Sequence, residues 1–174
     1  MSDKAFKILM VVIVVSAIGA AVIFKGNQPE RIRLGDEHED QGAQHVSQAE
    51  APEYGGEEPP TSGDHGQPVD KGAYQTELPD FNTIHNLEHG YVYVSYQPDL
   101  PQEKVDQLER LFFKPYSNEE FAPSKVIMAP RASNAAPIIL SSWQRSQKFD
   151  DIDVQAMIEY YLSNVNKSPE PTAS

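Results

Sequence analysis

No cysteine occurs in this chain of 174 residues. That absence removes disulfides, thiolate nucleophiles and thiolate metal sites together. In an oxidising compartment it leaves side-chain packing, or a metal on nitrogen and oxygen ligands, to hold a domain together. Basic charge is scarce as well: 14 lysines and arginines stand against 26 acidic residues, a net charge of -12. A nucleic-acid partner requires a basic face to neutralise phosphates, and the sequence offers none. The length fits one domain with a real core, not two plus their connections. No internal repeat is visible.

Residues 8–24 form an uncharged apolar run preceded by Lys4 and Lys7. A run of that length is at the lower limit for crossing a hydrocarbon core of about 30 Å. Ala17-Ile18-Gly19 offers the small residues of a signal-peptide cleavage site, but Ala20 to Phe24 stay apolar beyond it. That continuation favours an uncleaved N-terminal membrane anchor over 1–25. Lys25, Arg31 and Arg33 follow the run, so the positive-inside rule does not fix the orientation. With one N-terminal span and none later, we expect a single-pass cell-membrane protein. Its soluble part would lie on the extracytoplasmic side, periplasmic or extracellular. Residues 26–58 carry nine acidic residues and almost no aliphatic ones. Such a composition cannot bury enough apolar surface to offset ordering entropy, and it predicts an acidic flexible linker. Within it His38 sits in a solvated charge run, Asp36 to Asp40, while His45 and Tyr54 stand close enough to the domain to belong to it.

The globular domain is expected over 59–166. It begins with Pro59-Pro60-Thr61-Ser62-Gly63-Asp64-His65-Gly66, whose prolines and glycines mark a stiff loop, and Pro79-Asp80 marks a further turn. Tyr91 to Tyr96 is rich in β-branched and aromatic residues and predicts a strand. From Pro101 or Gln102 onward, Val105, Leu108, Leu111 and Phe112 recur at helical spacing. Ser124 to Ala129 and Pro137 to Trp143 predict two more strands. Asp150 to Val165 predicts a second helix, capped by Asp150 or Asp151, with Ile152, Ala156, Ile158, Tyr161, Leu162 and Val165 on its buried side. Residues 167–174 read as a disordered tail. The result is an α+β fold: a small mixed β-sheet in the order β-α-β-β-α after a loop-rich N-terminal part, covered by two helices. That order resembles the latter half of a thioredoxin-like fold, but without redox cysteines the likeness implies no chemistry.

The chemistry concentrates in His85-Asn86-Leu87-Glu88-His89-Gly90. Two imidazoles four residues apart lie on one face of a helix, where they can share a cation. Together with Pro59-Pro60-Thr61-Ser62-Gly63-x-His65, Gly72-x-Tyr74, Ala129-Pro130 and Trp143, this block resembles the family called domain of unknown function 3105, over about Gly42 to Pro171. In that family a glycine and a nearby histidine precede the proline block, and Gly42 and His45 match them. The family usually has glycine after the tryptophan, where this chain has Gln144. The resemblance implies an exported, membrane-anchored or secreted domain with no assigned activity.

Three functional readings follow. In the first, His45, His65, His85 and His89 bind a transition metal ion, with Glu88 as a ligand or as the partner that fixes an imidazole tautomer. A histidine set without thiolates suits copper or zinc, for metal handling or structural stabilisation. Met128 and Met157 could add soft sulfur for copper(I), but they suit a hydrophobic core better. The bland alternative is that the imidazoles are packed core groups bonded to backbone carbonyls. In the second reading, His85-x-x-Glu88-His89 resembles the arrangement of inverted zinc proteases, with Glu159 as the candidate third ligand. Against it, Gly90 and a strand follow at once. In the third, Tyr54, Tyr74, Tyr91, Tyr93 and Tyr96 form an aromatic surface for an envelope protein partner, unless helices cover them. The sequence does not decide whether the protein is an enzyme.

Overall fold

The computed structural model describes residues 32–113 and 121–172. The chain divides into two units, Met1–Ile32 and Arg33–Ser174. The expected anchor lies in the first, outside the described residues. Among the described residues no helix is long and apolar enough to cross a membrane.

The second unit is an α+β fold built on one mixed sheet of six strands. In chain order these are β1 (Asp36–Glu37), β2 (Gly72–Ala73), β3 (Val92–Tyr96), β4 (Val126–Pro130), β5 (Ile138–Ser142) and β6 (Arg145–Phe149). Three α-helices accompany them: α1 (Asp80–Glu88), α2 (Gln102–Phe113) and α3 (Val154–Asn164). Across the sheet the strand order is β1-β6-β5-β3-β4-β2. The β3–β4 pair is parallel, as its crossover through α2 requires, whereas β3–β5 and β5–β6 are antiparallel.

Both faces of the central strands are covered, so β3 and β5 are buried along their whole length. Side chains alternate between two cores, as strand geometry dictates. One face carries Val92, Val94, Tyr96, Met128, Ile138 and Leu140, packed under Leu108, Leu111 and Phe112 of α2 and Met157 and Tyr160 of α3. The other carries Tyr93, Ile127, Ala129 and Trp143 against Leu78 and against Ile84 and Leu87 of α1.

Several expectations need correction. The cover consists of three helices, because Pro79-Asp80 does not make an isolated turn but starts α1: Pro79 is its N-cap and Asp80 lies in its first turn. Proline's fixed φ suits a helix start, and a carboxylate there meets the positive end of the helix dipole. The last helix begins at Val154, because Asp153 is the residue whose side chain accepts from a first-turn N–H, that of Ala156. A further strand, β6, pairs with β5 through a tight hairpin. The expected linker is part of the folded unit from Arg33 onward. Arg33 donates to Asn164 Oδ1, β1 pairs with β6, and Glu58 accepts from Ser146 Oγ at 2.6 Å and pairs with Lys148 at 2.6 Å. Backbone and side-chain hydrogen bonds to distant partners hold this segment, with only Ala43 and Tyr54 packed against the apolar core. Its acidic neighbours stay exposed, but the His38 side chain, 34% exposed, is partly covered, with its Nε2 2.7 Å from Ser146 Oγ. The expected loose tail is also tied down as far as it is described, since the Glu170 N–H donates to Glu88 O and Lys125 Nζ donates to Pro171 O.

Candidate metal centre

Helix α1 presents two faces. Ile84 and Leu87 turn into the core beside Tyr93, which leaves His85, Glu88 and His89 together on another face at i, i+3 and i+4. The His85 and His89 rings are 4.5 Å apart between centroids, with their Nε2 atoms separated by 3.2 Å. The helix stops where the block ends. Gly90 has φ +81°, its N–H donates to Leu87 O, and the Tyr91 N–H donates to Asn86 O. This double bond to the last turn is the Schellman ending that glycine permits.

The Pro-Pro-Thr-Ser-Gly loop supplies the opposite wall. It is stitched to the 42–46 segment by Gly63 N–H to Gly42 O, His65 N–H to Gln44 O and Val46 N–H to His65 O, which sets His45 beside His65. Ring centroids are 4.6 Å apart for His45–His65, 4.7 Å for His45–His85 and 5.0 Å for His65–His85. His45, His65 and His85 therefore come together, and His89 joins them through His85. His65 is fully buried, His85 and Glu88 nearly so, and the His45 side chain is 51% exposed at the rim.

Tautomers are fixed by the loop's own carbonyls. His65 Nδ1 donates to Gly63 O at 2.8 Å and His85 Nδ1 donates to Gly66 O at 2.6 Å. A carbonyl only accepts, so both Nδ1 atoms carry the proton, and in the neutral ring each Nε2 holds a free lone pair. Burial, followed by the neighbouring imidazoles, holds the His85 pKa below its usual value and favours that neutral ring. His65 Nε2 then faces Glu88 Oε2 at 3.1 Å, yet neither atom makes a hydrogen bond. Two buried acceptors pointed at each other require something positive between them. The pair separations of 3.1 and 3.2 Å are also close to the spacing of about 3.3 Å between neighbouring ligands on a tetrahedral ion with metal–nitrogen bonds near 2.0–2.1 Å.

Among the described residues the candidate ligand atoms form two triads, His45–His65–His85 and His85–Glu88–His89, with the atoms of each within 4.8 Å of one another. Met128 and Met157 are not part of them and lie in the apolar core under α2 and α3. Glu159 is in neither triad. It sits exposed on α3, accepting from Gln155, while α3 packs on the face of the sheet opposite α1.

Five contributors to the site were not foreseen from the sequence. The Gly63 and Gly66 carbonyls set the imidazole tautomers, and the glycine-rich loop was their signal. Glycine is needed there because a Cβ on Gly66 would run into the Phe81 ring and one on Gly63, at φ +129°, into Tyr54 Oη. Asn86 clamps Val69 through two hydrogen bonds, 3.0 and 2.8 Å. Arg131, almost fully buried, makes a forked pair with Asp80 at 3.1 and 2.8 Å and also donates to Gly56 O, which fixes the start of α1. Burial raises the Asp80 pKa, although Arg131 opposes it. Glu170 brings Oε2 to 3.8 Å from His89 Nε2. Neither Arg131 nor Glu170 has a local sequence signature.

With this geometry in hand, the comparison with known families is direct. Residues 45–174 match the family described as protein of unknown function (DUF3105), and the chain belongs to it. No curated protein and no solved structure matches.

Proposed function

We propose that this protein is a membrane-anchored, extracytoplasmic domain that binds copper or zinc through His45, His65, His85 and His89 with Glu88, for metal handling or metal-stabilised structure. The observation that carries this reading is the unpartnered pair His65 Nε2 and Glu88 Oε2, buried at 3.1 Å with the imidazole proton spent on Gly63 O. A nitrogen-rich donor set with one carboxylate suits zinc and copper(II). The anchor and the exported location rest on the apolar run over 8–24, and an envelope protein partner would follow from that location.

The competing account is a metal-free imidazolium–carboxylate pair between His65 and Glu88. Elemental analysis of the full chain, purified in detergent without a histidine tag, separates the two. We expect bound copper or zinc, and a melting temperature lowered by several degrees in chelator, because a ligand of the native state stabilises it by mass action. A metal-free protein whose melting ignores both chelator and added metal favours the ion pair. Of the tyrosines in the aromatic-surface reading, Tyr93 and Tyr96 are buried on opposite faces of the sheet, which leaves it Tyr54, Tyr74 and Tyr91, all half-buried. The protease-like arrangement loses its third ligand with Glu159.

A further inference from the structure

The donor atoms are too spread for one ion. Ligands at about 2.1 Å from a single metal lie no more than about 4.2 Å apart. The four imidazoles do not form one such set: His89 shares a triad with His85 and Glu88, but not with His45 or His65. His85 belongs to both triads but can ligate only one ion, because its Nδ1 is committed to Gly66 O. Its Nε2 lies 3.2 Å from His89 Nε2, which pairs these two rings. On the other side His65 and His45 approach Glu88 Oε2 at 3.1 and 3.8 Å. Glu88 thus faces both pairs of histidines.

We propose that the cluster holds two adjacent transition-metal ions, one on His45 and His65, the other on His85 and His89, with the Glu88 carboxylate bridging them. This rests on the metal reading above and adds a second position to it. Two ions bridged in this way stand about 3.5–4 Å apart in known two-metal sites. A bridging carboxylate gives each of its oxygens to a different cation, which explains why a single glutamate lies buried among four imidazoles. Glu170, exposed and 3.8 Å from His89 Nε2, stands where it can complete the second position from the solvent side. His45 forms the open rim of the first.

The test is a titration of the full chain in detergent, untagged and chelator-stripped, with zinc(II) and separately copper(II). Native mass spectrometry counts the ions, and paramagnetic resonance of the copper form reports their separation. The expected result is two ions per chain with a half-field signal from a coupled copper pair. His45→Ala and His89→Ala should each fall to one ion and lose that signal, with folding checked by circular dichroism. One ion per chain in the unsubstituted protein overturns the inference and leaves the single-metal reading standing. Two ions without magnetic coupling also overturn it, since the second would then sit elsewhere, for example on the acidic run near His38. No bound ion at all removes both readings.

Discussion

The two faces of the sheet are built on different principles. Under α2 and α3 the contacts are aliphatic and aromatic, and that layer needs nothing beyond the chain to be stable. Under α1 the apolar patch is smaller, and four of the buried side chains on that side are ionisable: His65, His85, Glu88 and Arg131. Each is costly to desolvate unless paired. The Asp80–Arg131 pair is satisfied within the fold, whereas the His65–Glu88 pair is not. The lesson is that one face is closed by apolar packing, whereas the other gathers the donor atoms of the proposed metal site. The strand that divides them, β3, serves both through alternate side chains.

The largest effects should come from cutting each face at its centre, and they should differ in kind. Arg131→Leu leaves the Asp80 carboxylate buried without its partner, a loss of about 3–5 kcal/mol. Because Asp80 opens α1, which carries His85, Glu88 and His89, metal affinity should weaken as well. Leu108→Ala, in the apolar layer, should cost about 2–5 kcal/mol through the cavity it leaves. In that variant the metal affinity of the folded chain should be unchanged. Denaturant melts paired with metal titrations check both. Equal losses of metal affinity in the two variants would show that the faces are not separable.

A smaller effect is expected from pH. The folded-state pKa of His85 is depressed by burial. The unfolded chain therefore binds the proton more readily, and stability rises with pH where the two states differ. The contribution is complete above the unfolded value near 6.5 and is lost as pH falls through the folded value. Metal-free protein should thus melt progressively lower on acidification below about pH 6.5, with His85→Gln giving a shallower slope over that window. A slope unaltered by His85→Gln would place the titrating group elsewhere.

Where local chemistry dominates, the sequence is readable. The spacing of Val105, Leu108, Leu111 and Phe112 predicts the buried side of α2, and all four are buried. The apolar runs predict β3, β4 and β5 to within a few residues. The four-residue step from His85 to His89 predicts a shared helical face, and the rings meet. What could not be read is held by distant partners. β6 is polar along Arg145, Ser146, Gln147 and Lys148, and its place in the sheet comes from pairing with β5 and β1. The segment from Arg33 to Glu58 looks disordered by composition, yet Ser146, Lys148 and Asn164 bind it from more than 80 residues away. Burial of β3 on both faces likewise depends on a helix, α1, whose start is marked by proline rather than by a capping hydroxyl.

One local departure is legible at both levels and yields the smallest predicted effect. Gln144 follows Trp143 in the β5–β6 hairpin, at the position where the family resemblance implies glycine, and its φ is +58°. For a residue with a Cβ that conformation costs roughly 1–2 kcal/mol. The two backbone bonds made there, Gln144 N–H to Thr61 O and His38 N–H to Gln144 O, do not need a side chain. Gln144→Gly therefore removes strain and keeps both bonds, offset by about 0.5–1 kcal/mol from the greater freedom of glycine in the unfolded chain. The net should be a gain of a few tenths to about 1 kcal/mol, or a rise of roughly 1–3 °C in Tm. Gln144→Ala should give no such rise. If both variants melt lower, the glutamine side chain contributes to the fold, and the turn that seats Trp143 beside α1 is held by more than its backbone.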